Sequence, residues 1–169
     1  MSWVNSMDKF IIDANVLISA HRRSYPMDIV PSFWEKILME AEAQNFFLID
    51  EILSEILIGE DELAEWISDH ISSFTILKSD EEVVINTYRD LIQKVMDNPK
   101  YRYKAKSDFA SVADSWLIAH AKAYDLVIVT EEGFDLNSRK RVLIPNVCHE
   151  IGVRYINTVA FLRALSIKI

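Results

Sequence analysis

Hydrophobic positions in this chain fall into short continuous runs separated by longer stretches of helical spacing. Residues 10–12, 46–49, 74–77 and 126–129 are apolar runs of the length and β-rich composition that form buried strands. Between them the apolar positions recur every three or four residues, as Phe33, Ile37, Leu38 and Ala41 do in a helix predicted over 32–43. Leu63, Trp66 and Ile67 mark another over 60–71. Further helices are predicted over 16–20, 50–59, 79–96 and 107–124, with a last one from Thr158. Asp50 is placed to cap the second of these, and Ser79 or Asp80 the third. Pro26 and Pro31 mark a loop over 24–31, and Asn98-Pro99 ends the helix before it. The tail reads as pieces: 142–144, a turn at Pro145-Asn146, and a fragment over 154–156. Strands alternating with helices imply an α/β fold, a three-layer α/β/α sandwich around a central, mainly parallel sheet of four to five strands.

At 169 residues, half of them hydrophobic, the chain is expected to be one domain, 1–169, with no internal repeat or linker. Residues 1–8 are expected to be a flexible extension ahead of the first strand. A single cysteine, Cys148, excludes an intramolecular disulfide framework and fits a reducing cytoplasm. No stretch approaches the roughly 18 apolar residues of a membrane span, and no secretory leader is legible, so a cytoplasmic location is expected. The net charge of −8 supplies no global attraction to nucleic acid.

Charge matters locally. Asp13, Glu55, Asp114 and Glu132 each lie just past an apolar run or on a helix beside one. A carboxylate in such a place is costly unless it is hydrogen-bonded, caps a helix or holds a metal. Parallel strands share one carboxyl edge, where α/β proteins bind ligands. Four oxygen donors there, with no His or Cys set among them, suit a hard cation such as Mg2+ or Mn2+. Each also has a plainer reading. Asp13 can be an N-cap, Glu55 a solvated helix-face residue, and Asp114 part of a wet stripe with Ser107 and Ser111. Glu131 competes with Glu132 for the fourth position. It is the recurrence of acids at three strand ends and one adjoining helix that points to a site.

The order Asp13-Ala14-Asn15 after an apolar run, Glu55 in a helix, Ala113-Asp114 leading into Leu117-Ile118-Ala119, and Thr130 before Glu132 resembles the PIN domain. The resemblance spans about 10–165, and residues 144–148 are similar to the last-strand region of a PIN-like subfamily. PIN domains are metal-dependent ribonucleases that include the toxins of many toxin–antitoxin pairs. The resemblance therefore implies a PIN-like fold and Mg2+- or Mn2+-dependent hydrolysis of RNA. It makes Asp13, Glu55, Asp114 and Glu132 the catalytic set, with Asp13, Asp114 and Glu132 holding metal and Asn15 and Thr130 in support. The departure is Glu132, where the family usually has Asp.

The implied partners are an RNA substrate and a small antitoxin protein, and a homodimer is left open. Lys100, Arg102, Lys104 and Lys106 interleave with Tyr101 and Tyr103, a pattern that can neutralise phosphates and stack on bases. Arg22 and Arg23 add a second basic pair, and Arg139-Lys140-Arg141 a third cluster. Each run also reads as ordinary solvated surface. A phosphatase of the haloacid dehalogenase type would want an Asp where Asn15 stands. The serious rival is a PIN-like RNA- or protein-binding module with little catalysis.

Overall fold

The computed structural model describes residues 4–169. Five strands, β1 (Phe10–Ile12), β2 (Phe46–Ile49), β3 (Ile76–Leu77), β4 (Val127–Val129) and β5 (Tyr155–Ile156), form one parallel sheet in the order β3-β2-β1-β4-β5. Its central strand β1 pairs Phe10 with Phe46 on one side and with Val127 on the other. Both faces of that strand are buried, which is why its sequence is a continuous apolar run and not an alternating one.

Nine α-helices connect the strands among the described residues: α1 (Ala14–Ser19), α2 (Pro31–Glu42), α3 (Asp50–Ile58), α4 (Glu62–Asp69), α5 (Glu82–Asp97), α6 (Tyr103–Ser111), α7 (Ala113–Tyr124), α8 (Ile144–Ile151) and α9 (Thr158–Ala164). Helices cover both faces of the sheet, the α/β sandwich expected. Phe10, Phe46 and Phe161 pack edge-to-face in its core, linking β1, β2 and α9. Tyr88 of α5 stacks on Trp116 of α7 at 3.7 Å between ring centroids.

Two expectations are corrected. The helix expected over 107–124 is two, because Val112 is extended (φ −115°, ψ 167°) and breaks the ladder between α6 and α7. Pro145-Asn146 is no turn and 144–148 no strand. Proline lacks only a donor that the first helical turn leaves unpaired, so Pro145 sits comfortably at the start of α8. Of the extension expected over 1–8, residues 1–3 lie outside the described residues. Asp8 is anchored, accepting from Arg154 Nη1 at 2.7 Å and Nη2 at 2.9 Å.

Candidate active site

Strands β1 and β4 are neighbours from which the sheet is built outward in opposite directions. In α/β sheets a crevice opens at such a switch point, beyond the carboxyl ends of the strands. Asp13 directly follows β1, and Thr130 directly follows β4. The Asp13 N–H extends the ladder to the Val129 carbonyl at 3.0 Å, which fixes the residue at the lip of the crevice.

Asp13 is 2% exposed. Its Oδ2 accepts the Thr130 hydroxyl at 2.9 Å. Its Oδ1 also caps α1 by accepting the Asn15 N–H, at a long 3.5 Å. Burial pushes the carboxyl up to about 6, against the pull of Thr130, and the charges of Glu132 and Glu55 push the same way.

Asp114 stands in the first turn of α7, where the helix dipole favours an anion, and not in the helix interior as expected. Ser107 and Ser111 lie on α6, so no single polar stripe joins them to it. Burial pushes Asp114 up to about 7, followed by the charges of Asp13, Glu132 and Glu55, with Arg141 opposing. Glu55, on the exposed side of α3, is also raised by partial burial.

Glu132 is held at both oxygens. Oε1 accepts from the Arg141 guanidinium, and Oε2 accepts the Ile144 N–H at the start of α8 at 2.8 Å. Its own N–H donates to Thr130 Oγ1 at 3.2 Å, so Thr130 bridges Asp13 and Glu132. Glu131 faces elsewhere and accepts from the N–H and hydroxyl of Thr158 at the start of α9. Four elements thus bring Asp13, Glu55, Asp114 and Glu132 within electrostatic reach of one another.

A cleft of about 600 Å³ opens over Glu55 and Asp114, lined also by Asn15, Lys140 and Arg141, with Ala105, Asp108 and Phe109 of α6 forming one wall; Asp13 and Glu132 do not line it. Oxygen-only donors suit a hard cation. Among the described residues, however, no set of three His, Cys, Asp or Glu side chains is placed to hold a metal ion. Magnesium keeps several waters and takes only one or two carboxylates, so the residues fit it by donor type, without a closed cage.

The expected RNA-binding cations do not line the cleft. Arg22 pairs with Asp61 at 3.4 Å, and Arg23 is exposed on the π-helical turn after α1. Lys104 pairs with Asp108 at 3.1 Å, one helical turn on. Lys106 donates to the Met96 carbonyl at 2.7 Å, and Lys100 sits 5.4 Å from the centre of the Tyr101 ring. Arg102 is the extended residue just before α6, and Tyr101 is buried and closed to stacking. The run is a helix start and its tethers. The cations at the cleft are Lys140 and Arg141, members of the third basic cluster. The signal that could have chosen Arg141 is its place in a short connection between Glu132 and α8.

Comparison with known proteins agrees with this architecture. A family model described as Domain of unknown function (DUF4411) matches residues 10–169. No curated protein matches the chain. Among solved structures, that of DNA-bound VapBC from Salmonella typhimurium contains a chain similar to this one with a TM-score of 0.55 and 16% identity, covering 89% of this chain and 98% of that one. VapBC2 from Rickettsia felis, bound to a DNA fragment from its promoter, gives 0.54 and 14%, covering 88% and 97%. FitAcB from Neisseria gonorrhoeae gives 0.53 and 18%, covering 88% and 96%. At such identities the likeness is one of fold, and the fold is PIN-like.

Proposed function

The chain belongs to the DUF4411 family, and we propose that it is a divalent-metal-dependent ribonuclease acting as the toxin of a toxin–antitoxin pair. The observation that carries this reading is the coupling of four carboxylates at the switch point of a parallel sheet, where Asp13 and Asp114 are pushed up to about 6 and 7. Stability alone gives no reason to gather four carboxylates within electrostatic reach of one another. The similarity of fold to VapBC and FitAcB chains supports the reading.

Asp13 and Asp114 would hold Mg2+ or Mn2+, with Glu55 and Glu132 beside them. When bound, such an ion lowers the pKa of a coordinated water and offsets charge on the phosphate. The chain itself supplies orientation. Thr130 fixes Asp13 from behind, α7 presents Asp114 on its first turn, and Glu55 reaches in from the exposed side of α3. The four carboxylates repel one another, and a cation or a basic partner side chain would relieve that repulsion. A small antitoxin with an Arg or Lys directed into the cleft would use the same chemistry.

One observation favours a second reading, a PIN-like RNA- or protein-binding module. Glu132 is fully engaged, and no three acids form a ready cage among the described residues. The deciding experiment incubates the purified chain with labelled cellular RNAs and Mn2+, beside Asp114→Asn and a chelator. Cleavage abolished by both controls supports the ribonuclease. Binding without cleavage, unchanged by Asp114→Asn, selects the module.

A further inference from the structure

We propose that Arg141 grips the substrate phosphate and that Glu132 is its positioning residue, not a metal ligand. This rests on the nuclease reading above. An acidic cleft must still admit a polyanion, and among the described residues the only cations lining it are Lys140 and Arg141.

Arg141 is delivered there by a connection that contains no helix or strand yet is pinned at several points. The Asp135 N–H donates to Asn146 Oδ1 at 3.1 Å, and Asn146 Nδ2 donates back to the Asp135 carbonyl at 2.8 Å. The Ser138 hydroxyl donates to the Arg141 carbonyl at 2.7 Å, and the Arg102 N–H donates to the Arg139 carbonyl at 3.0 Å. Asn146 is 3% exposed, so the anchor is buried. The guanidinium then meets Glu132 through Nη2 while its side chain stays 62% exposed. A guanidinium carries five N–H donors in a fixed fork, which leaves donors directed to solvent and able to take two phosphate oxygens.

The same geometry explains the departure at the fourth acid. The extra methylene of Glu132 lets one carboxylate reach the Ile144 N–H and Arg141 together. An ion would have to share each oxygen with a donor already in place. Holding Arg141 in place uses both bonds.

The test separates metal from phosphate. Mn2+ affinity is measured by calorimetry on the full chain and on Arg141→Gln, Arg141→Lys, Glu132→Gln and the Arg141→Gln/Glu132→Gln double variant. Affinity for a short single-stranded oligoribonucleotide is measured by anisotropy, with Asp114→Asn added to every variant to block cleavage. We expect Arg141→Gln to weaken RNA binding by about tenfold or more and to lower the salt slope by about one, with Mn2+ affinity unchanged or tighter. Glu132→Gln should match it without losing Mn2+, the double variant should be no worse than either, and Arg141→Lys should fall between. Loss of Mn2+ binding in Glu132→Gln, or full RNA affinity in Arg141→Gln, overturns the proposal while leaving the nuclease reading intact. A parent chain that binds neither Mn2+ nor RNA overturns both.

Discussion

The Thr130 hydroxyl donates to Asp13 Oδ2 at 2.9 Å, joining the ends of β1 and β4 across 117 residues of sequence. It is the short hydrogen bond to a carboxylate that is otherwise deep in apolar surroundings, and it favours the ionised form. Thr130→Val keeps the shape and removes that donor. The expected loss is about 1–3 kcal/mol of unfolding free energy near pH 8, and clearly less near pH 5, where Asp13 is protonated. Urea denaturation at the two pH values decides it. An equal loss at both would mean that Thr130 contributes packing and its bond from the Glu132 N–H, and nothing to the charge.

Metal-free stability should fall as pH rises. Asp13 at about 6 and Asp114 at about 7 both lie above the ordinary aspartate value of about 3.9. The folded state therefore holds these protons more tightly than the unfolded chain does. Their favourable contribution is full below about pH 4 and is lost as pH climbs through about 6 and 7. Asp8, Asp50 and Asp61 are lowered instead, so what they contribute survives until the solution is strongly acidic. Between about pH 5 and 8 the acidic site should dominate, and Tm in EDTA should drop by several degrees. A flat profile over that window would sink the claim that the two aspartates are buried together.

How much of this was legible in the chain follows from what kind of signal each residue leaves. Strand β1 and Asp13 were readable because a doubly buried strand must be apolar and its first polar residue marks the edge. The alternation implied a parallel sheet, but not the strand order β3-β2-β1-β4-β5. The split at Val112 was hidden because its neighbours Phe109, Ala113 and Leu117 keep helical spacing through the break, although the backbone does not. Pro145 suggested a turn because the same residue serves turns and helix starts. The partners of the basic run 100–106 were not legible in its composition, since Met96 lies on the helix before it and Asp108 on the helix it begins. Arg141 left only a weak signal, its place nine residues after Glu132 in the short connection to α8. His120 is a parallel case, buried with its ring nitrogens bonded to the Trp116 and Lys78 carbonyls, and purely structural.

Divalent metal should reverse the pH effect. Mg2+ or Mn2+ stabilises the state that binds it, and it binds carboxylates only when they are ionised. The rise in Tm on adding metal should be large near pH 8 and small near pH 5. Asp114→Asn removes one raised carboxyl and its repulsion, so the metal-free variant should be more stable than the parent near pH 8 by about 1–2 kcal/mol, the pattern of a site whose groups serve function. It should also lose most of the metal response. Were Asp114→Asn destabilising and the metal response intact, Asp114 would be a helix-start residue and no part of a site.

Glu131 and Glu132 offer the sharpest contrast, because adjacent residues of one type are given opposite work. Glu131 accepts the Thr158 N–H at 2.8 Å and the Thr158 hydroxyl, closing an orphan donor at the start of α9. Glu132 faces Arg141 and the acids of the cleft. Glu131→Gln weakens a charge-assisted cap, so it should cost about 1 kcal/mol in thermal or urea unfolding and leave Mn2+-dependent RNA cleavage within about twofold. Glu132→Gln should do the reverse: little change in unfolding, since a carboxylate held beside three other acids is stabilised by Arg141 and penalised by its neighbours, and cleavage reduced by about tenfold or more. The two variants exchange their effects if the backbone at Thr130 delivers the other glutamate to the cleft. Each assay therefore reports on one residue, and together they fix which acid the strand end presents.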